Sequence, residues 1–113
     1  MLVFKIVHRG EWDEAQRVGH YDGSAKDRAD GFLHFSAAKQ LMGTLRKYYS
    51  AETDLVLVAV DEDLLGAALK YEPSRDGALF AHLYAPLPVS AVKWVRGIGR
   101  DTKDGFVLPL DLD

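Results

Sequence analysis

The stretch Gly31-Phe32-Leu33-His34-Phe35-Ser36 says most about how this chain of 113 residues folds. Its composition is typical of a short strand that ends at a hydroxyl residue, and the run that begins at Ala37 has helical spacing. Side chains alternate between the two faces of a strand, so Phe32, His34 and Ser36 are expected to share one face. The pattern therefore places an imidazole and a hydroxyl side by side where a strand gives way to a helix.

Length and composition limit the classes of protein to consider. With 113 residues, of which 48% are hydrophobic and 27% charged, the chain is expected to form one globular domain over residues 1–113. The formal net charge of −3 provides no general attraction to nucleic acid or anionic membranes, so we expect neither as a partner. The absence of cysteine excludes disulfides and thiolate-based zinc sites. Neither a secretory signal pattern nor an apolar run of about 20 residues is found, so a cytoplasmic location is predicted.

Most of the predicted elements are strands. They are expected over residues 2–8, 31–36, 55–60, 68–72, 79–84, 92–98 and 106–110. The run over residues 55–60 is apolar at every position, which is typical of a central strand covered on both faces. Pro109 lacks a ladder donor and predicts that the last strand lies at a sheet edge.

The helical signals are fewer and lie mainly in the first half of the chain. One main helix is predicted over residues 12–18, and a second over residues 37–49 with Ser36 as its N-cap. Residues 20–30 are predicted to form a loop and residues 97–102 a turn. Because the helices precede most of the strands, we expect an α+β domain with a mixed or mostly antiparallel sheet rather than a βαβ array.

Polar side chains at or near the ends of the predicted strands are the candidates for chemistry. They are His8, His34, Ser36, Glu72, His82 and Tyr84. Each also has a structural explanation, since a histidine at a strand end is often only a hydrogen-bonded structural residue and Ser36 can serve as a helix cap. Three histidines in such positions are nevertheless an unusual use of a scarce residue, and this favours a common site.

The set allows three kinds of chemistry. Three imidazoles, with Glu72 as a further ligand, could bind a metal ion, although none of their spacings is a known metal motif. Ser36 could be a nucleophile activated by a histidine, although the Gly-x-Ser-x-Gly turn of hydrolases is absent. A nucleotide site would use histidine and serine to hold ribose hydroxyls and Glu72 to stabilise a cationic sugar. The residues alone leave these alternatives open.

Several segments together carry a family resemblance. In chain order they are Ile6-Val7-His8, Trp12, residues 31–36, Gln40, residues 57–61, Lys70-Tyr71-Glu72 and residues 80–87. With these segments the sequence resembles the domain-of-unknown-function 952 family over nearly its whole length. That family is similar in fold to the ADP-ribosyltransferases, so the resemblance implies an ADP-ribosylation-like fold and NAD as the expected cofactor.

The resemblance also implies roles for individual residues. In ADP-ribosyltransferases of the His-Tyr-Glu type a first-strand histidine binds the ribose of NAD, and His8 matches it. His34 and Glu72 would then be catalytic. The other residues expected to contact the cofactor are Ser36, His82 and Tyr84.

Two functions from different classes follow. One is an NAD-using enzyme that transfers ADP-ribose, and the other is a catalytically silent relative that binds a nucleotide or another small ligand through the same histidines. RNA 2′-phosphotransfer is disfavoured, because Phe32 replaces the first histidine of that family's His-x-His-x-Ser strand and the matching arginines are not found. The two remaining functions differ at Glu72, which transfer requires and binding does not.

Overall fold

The computed structural model describes residues 1–74, 77–101 and 105–112. In chain order its main elements are β1 Leu2–His8, α1 Arg9–Val18, β2 His20–Tyr21, α2 Ala25–Asp30, β3 Leu33–Phe35, α3 Leu41–Tyr48, β4 Leu55–Asp61, β5 Leu69–Pro73, β6 Leu79–Leu83, β7 Leu87–Pro88, β8 Val92–Arg100 and β9 Phe106–Val107. Short 3-10 turns fill several connections, among them Ala38–Gln40 in front of α3. None of the described helices is long and apolar enough to span a membrane.

The first sheet has the strand order β1-β4-β8-β9, and every neighbouring pair is antiparallel. β4 lies between β1 and β8, and all its residues from Leu55 to Val60 are buried, which confirms the predicted central strand. β9 lies at the edge of this order, which confirms the predicted edge strand. The chain therefore forms the mostly antiparallel α+β arrangement expected from the sequence.

The hydrophobic core covers both faces of this first sheet. On one face, β1 and β4 pack against Trp12 and Ala15 of α1. On the other face, they pack against Leu41 and Leu45 of α3. Full burial of a large apolar side chain contributes about 1.5–3 kcal/mol. The two helices are thus held on opposite faces of a shared sheet, and the described chain forms one domain.

The second sheet has the order β3-β6-β5, is also antiparallel, and provides the frame of the candidate site. Its register pairs His34 with His82, and His82 with Lys70. Residues directly opposite each other on neighbouring strands point to the same face. Glu72, two positions beyond Lys70, shares that face because side chains alternate along a strand. The opposite face of this sheet contributes Leu33, Phe35, Ala81 and Leu83 to the core.

The two sheets meet where β1 passes the end of β3. Phe4 and Ser36 form an antiparallel bridge, in which each backbone N–H donates to the other residue's carbonyl at 2.8 Å. This bridge keeps the chain extended beyond β3. The predicted role of Ser36 as a helix N-cap is therefore wrong: Ala37 precedes the 3-10 turn, and the Ser36 hydroxyl lies 3.3 Å from that of Thr44 on α3.

The largest departure from the predicted elements is the segment over residues 20–30, which is not a loop. It contains β2, which pairs with β7, and the six-residue helix α2, so the described chain has three α-helices rather than two main ones. The signal for α2 was present in Ser24-Ala25-Lys26-Asp27, a capping-box pattern whose two hydrogen bonds both form. Gly31 ends the helix with a φ of 87°, a conformation that glycine adopts without strain.

Smaller departures occur at element ends. α1 begins at Arg9 rather than at residue 12, and α3 is preceded by a separate 3-10 turn. The strand predicted over residues 92–98 and the turn predicted over residues 97–102 overlapped, and the structure continues β8 to Arg100, with Ile98 buried opposite Leu55 of β4. The rest of that predicted turn includes residue 102, which lies outside the described residues.

Candidate functional site

The candidate site is a cleft of about 230 Å³ over the polar face of the second sheet, which we call the histidine cleft. β3 and β6 form its floor, α2 and α3 flank it, and β1 contributes Phe4 and Ile6. The polar and aromatic side chains that line it and matter most below are Lys26, Phe32, His34, Ser36, Tyr48 and His82. A hollow with mixed apolar and polar walls is the usual form of a small-molecule site.

His34 is held between two carboxylates of α2. Its Nδ1 donates to Oδ1 of Asp27 at 2.5 Å, and its Nε2 lies 3.0 Å from Oδ2 of Asp30. The His34 backbone N–H also donates to Asp27 Oδ1, at 3.1 Å. The ring is 28% exposed, so it is fixed in orientation while one side remains open to the cleft.

Asp27 is the centre of a buried polar network below the cleft. Its Oδ2 lies 2.8 Å from Nζ of Lys5, and both side chains are only 3% exposed. The backbone N–H of Ser24 donates to the same oxygen at 2.9 Å, so Asp27 receives hydrogen bonds at both oxygens. Burial by itself would raise the pKa of Asp27, but the hydrogen bond from His34 and the charge and hydrogen bond of Lys5 outweigh it and hold that pKa well below its usual range.

A third carboxylate, that of Glu72 on the edge strand β5, orients His82. Oε1 of Glu72 accepts hydrogen bonds from His82 Nδ1 at 2.8 Å and from the Tyr84 hydroxyl at 2.6 Å. These two bonds, that of Tyr84 first, lower the pKa of Glu72, and the bond to Glu72 raises the pKa of Tyr84. The ring of Phe32 stacks on that of His82, with 4.0 Å between centroids and 26° between planes.

The other nitrogen of His82 is the least satisfied polar atom of the cleft. His82 is 4% exposed, and its Nε2 is buried and has no hydrogen-bond partner in the described part of the chain. Because Nδ1 is bound to Glu72, Nε2 lies on the far side of the ring from that carboxylate. A buried imidazole nitrogen with no partner normally costs about 1–3 kcal/mol. The arrangement leaves Nε2 able to accept or donate one hydrogen bond, or to move a proton.

The predicted site residues are brought together only in part. His34, Ser36 and His82 line the histidine cleft, and Glu72 and Tyr84 reach it through their contacts with His82 and Phe32. The described lining residues do not include Glu72 itself.

His8 lies elsewhere, in a neighbouring hollow of about 280 Å³ that we call the His8 hollow. Its ring packs near Tyr49, and its Nε2 is 3.9 Å from Oε1 of Glu52. The side chain is 38% exposed. His8 ends β1 as predicted, but that position does not bring it to the other two histidines.

This separation bears on the two non-nucleotide alternatives. Among the described residues there is no group of three His, Asp or Glu side chains placed to hold one metal ion, so the three-histidine metal site is not assembled. The Ser36 hydroxyl contacts Thr44 rather than an imidazole. The pairing of nucleophile and base that hydrolysis needs is therefore not formed by Ser36.

Lys5 and Asp27 are the site residues that sequence reasoning missed. Lys5 interrupts the apolar face of β1 formed by Val3 and Val7, and an isolated charge in such a position signals a buried partner. Asp27 was visible as the acidic member of a capping box. Neither signal says that the two side chains meet, since that depends on how α2 packs on β1.

Comparisons with known proteins agree with this fold. Residues 6–95 match the sequence profile of a family described as "Protein of unknown function (DUF952)". The X-ray structure of protein CC0527 from Caulobacter crescentus is 44% identical, has a TM-score of 0.90, and is matched over 94% of this chain and 93% of that chain. The solution NMR structure of CC0527 is 46% identical, with a TM-score of 0.83 over 94% and 90% of the two chains. A comparison with curated proteins finds no match.

Proposed function

The chain belongs to the DUF952 family, and we propose that it is a binding domain that holds a nucleotide, with NAD as the first candidate, in the histidine cleft. In this proposal a planar ring and its ribose enter the cleft, His82 hydrogen-bonds the ligand through Nε2, and His34 and Ser36 lie beside the ribose. The ADP-ribosylation-like fold that the sequence resemblance implies remains a prediction and is consistent with this ligand.

The unpartnered Nε2 of His82 is the observation that carries the proposal. The nitrogen is buried and has no partner in the described part of the chain. Its ring is held by a hydrogen bond to Glu72 and by stacking on Phe32, and His82 is one of the residues that line the cleft. A ligand group that hydrogen-bonds Nε2 would recover the roughly 1–3 kcal/mol that an unsatisfied buried group costs. Since 1.4 kcal/mol corresponds to a factor of ten, this one contact supplies about 5- to 150-fold in affinity.

The walls and size of the cleft suit one ring of a nucleotide. Phe4, Phe32 and Phe80 provide apolar surface against which an aromatic ring can pack. A volume of about 230 Å³ is slightly below the roughly 300–1,000 Å³ of pockets that enclose a whole drug-sized ligand. The cleft therefore matches a nicotinamide or base with its ribose, and the rest of a dinucleotide would extend outside it.

ADP-ribose transfer is the second candidate, and the Glu72–His82 pair is the observation that favours it. A carboxylate that fixes an imidazole, whose second nitrogen has no partner and whose ring lines a cleft, is compatible with a general base. In such a step the bond between nicotinamide and ribose breaks, the acceptor forms the new bond to the same carbon, and its proton passes to His82 Nε2. Glu72 would then act through His82, because its carboxylate does not line the cleft.

Isothermal titration calorimetry with NAD tests the binding proposal. Wild-type protein is expected to bind NAD, and His82→Asn, which removes Nε2, is expected to bind it about 5- to 150-fold more weakly. His20→Asn is the matched control, since His20 is exposed on β2 and bound to Asp22, outside the cleft.

The melting temperature of each variant separates loss of binding from loss of folding. If His82→Asn does not fold, Phe32→Leu provides the second variant, because it removes the stacked ring beside His82 and leaves the polar network intact. The proposal is wrong if folded wild-type protein gives no heat with millimolar NAD, ADP-ribose or nicotinamide mononucleotide. It is also wrong if His82→Asn and His20→Asn bind NAD equally well.

A further inference from the structure

The residues around α3 carry an excess of positive charge, because acidic residues are absent from this segment. Residues 31–51 contain three lysines or arginines and no aspartate or glutamate, in a chain whose formal net charge is −3. The three cations are Lys39, Arg46 and Lys47. A local basic surface on an acidic protein indicates an anionic ligand rather than a general attraction to polyanions.

The three cations line one groove. Four residues along one side of the helical segment line this groove: Lys39, Gly43, Arg46 and Lys47. Successive members are four, three and one positions apart in the sequence. Ala78 and Phe80 form the opposite wall, and the groove has a volume of about 510 Å³. We call it the basic groove. Gly43 presents no side chain there, so the groove stays open at its middle.

In the part of the chain that the structure describes, these cations have no carboxylate partner. Some other surface cations do have carboxylate partners, such as Arg9 with Asp54 and Arg17 with Glu14. In the described part of the chain, no carboxylate lies within ion-pair distance of Lys39, Arg46 or Lys47. Three unpaired cations in one groove repel each other, and an anion placed among them removes that repulsion.

The basic groove adjoins the histidine cleft. Phe80 lines both, and Tyr48, which lines the cleft, has Nζ of Lys47 at 5.8 Å and Nζ of Lys26 at 5.4 Å from its ring centroid. A ligand whose ring lies in the cleft can thus extend past Phe80 onto the groove.

The neighbouring hollow on the other side is electrostatically less suitable for an anion. The His8 hollow includes the carboxylates of Glu11 and Glu52 beside the single lysine Lys26, whereas the described lining of the basic groove includes no carboxylate. These carboxylates would repel the negative charge of a phosphate. A phosphate that extends out of the cleft is therefore directed to the basic groove rather than to the His8 hollow.

We propose that the basic groove binds the phosphate of the nucleotide whose ring and ribose occupy the histidine cleft. This inference rests on the proposed function and adds to it that the ligand is a phosphorylated nucleotide and that its phosphate lies on Lys39, Arg46 and Lys47. The occupant is a small nucleotide, since the cleft supplies a site for one ring beside the groove.

The test compares nicotinamide riboside, nicotinamide mononucleotide and NAD by calorimetry. Phosphorylated ligands are expected to bind more tightly than the riboside, and this preference for the phosphorylated ligands should shrink with added salt. The double variant Lys39→Ala/Arg46→Ala is expected to bind the phosphorylated ligands roughly 4- to 25-fold more weakly, since each cation contributes about two- to fivefold in affinity. Its affinity for the riboside should not change. Lys93→Ala is the control, because Lys93 is exposed on β8.

The outcomes separate this inference from the proposed function. If riboside and phosphorylated ligands bind equally and the double variant changes neither, the groove inference is wrong while the nucleotide cleft stands. If none of the three ligands binds, both are wrong. If a single-stranded RNA binds through the groove while nicotinamide mononucleotide does not, the groove is a polynucleotide surface and the inference is likewise overturned.

Discussion

The histidine cleft and the His8 hollow lie side by side and share Lys26, Tyr48 and Tyr49 in their walls, yet they hold their histidines differently. In the cleft, His34 and His82 each bind a carboxylate at 2.8 Å or less. In the hollow, His8 is 3.9 Å from its nearest carboxylate and 38% exposed. The histidines of the cleft are therefore fixed in orientation by carboxylates, whereas His8 is not, although all three were predicted at or near strand ends.

The histidines of the two regions are held differently because the carboxylates beside them are buried to different degrees. Asp27 and Lys5 lie in the protein interior, where a charge is stable only with close partners, and this fixes His34 in turn. Glu52 in the hollow is about half exposed and is solvated by water. The cleft is thus organised before any ligand arrives, and organisation of this kind reduces the entropy lost on binding.

The largest difference between the two regions is expected in stability. Asp27→Asn leaves Lys5 as a buried charge without its counter-ion and should cost about 3–5 kcal/mol in the free energy of unfolding. Glu52→Gln should change it by less than about 0.5 kcal/mol. Urea unfolding of the two variants measures both values. Equal effects would show that Asp27 does not hold the cleft together. Lys5→Met combined with Asp27→Asn should cost less than the sum of the single changes.

The pH dependence of stability should follow the same division. The folded-state pKa of Asp27 lies below its unfolded value, so the unfolded state binds more protons in acid, and the stability that Asp27 contributes is present at neutral pH. It is lost progressively below about pH 5 as Asp27 protonates. The free energy of unfolding, plotted against pH, should therefore fall more steeply between pH 7 and pH 2 for wild-type protein than for Asp27→Asn. Parallel curves would contradict the lowered pKa.

Ligand binding should distinguish the histidines of the two regions. His34→Gln removes the ring beside the proposed ribose together with its contacts to Asp27 and Asp30, and should weaken NAD binding by roughly tenfold, or about 1.4 kcal/mol. His8→Gln should leave the affinity within about twofold, because His8 does not line the cleft. Calorimetry on both variants gives the comparison. A larger effect for His8 would instead support the ribose-binding role that the ADP-ribosyltransferase resemblance implies for it.

A small effect on binding is also expected at Glu72. Glu72→Gln retains an oxygen that can accept from His82 and Tyr84, so NAD affinity should change by less than about threefold. Any cleavage of NAD by the wild-type protein should fall by roughly 10²- to 10³-fold, since the charge that orients and supports His82 is lost. Release of nicotinamide measures this.

Glu62→Gln is the matched control for Glu72, because Glu62 also accepts a hydrogen bond from a tyrosine hydroxyl, that of Tyr71, away from the cleft. Unchanged cleavage in Glu72→Gln would exclude Glu72 from the transfer reaction. Absence of cleavage in the wild-type protein would leave NAD binding as the only activity of the cleft.

The alternation of side chains between the two faces of a strand made part of the site predictable from the sequence. It placed Phe32, His34 and Ser36 on one face and identified β1, β4 and β6 within one or two residues, because these strands lie against a core on at least one side. The pairing of His34 with His82 required the register between β3 and β6, which no local pattern contains.

The remaining features depend on long-range packing. The bridge between Phe4 and Ser36 joins strands that are distant in the chain and overrides the local capping preference of serine. The Lys5–Asp27 contact depends on α2 lying against β1, and the Glu72–His82 contact depends on the β5–β6 register. In each case only the fold determined which residues meet: the sequence analysis selected Ser36, Glu72 and His82 as candidates, and it missed Lys5 and Asp27.

In the proposed function, His82 Nε2 is the atom of the cleft that binds the ligand. Long-range ¹⁵N–¹H NMR of the histidine side chains during an NAD titration examines this atom itself, because each ring nitrogen is observed separately. We expect a saturable change in the His82 Nε2 shift, a smaller one at His34, and none at His8 or His20. A titration that moves His8 and leaves His82 unchanged would contradict the proposed function.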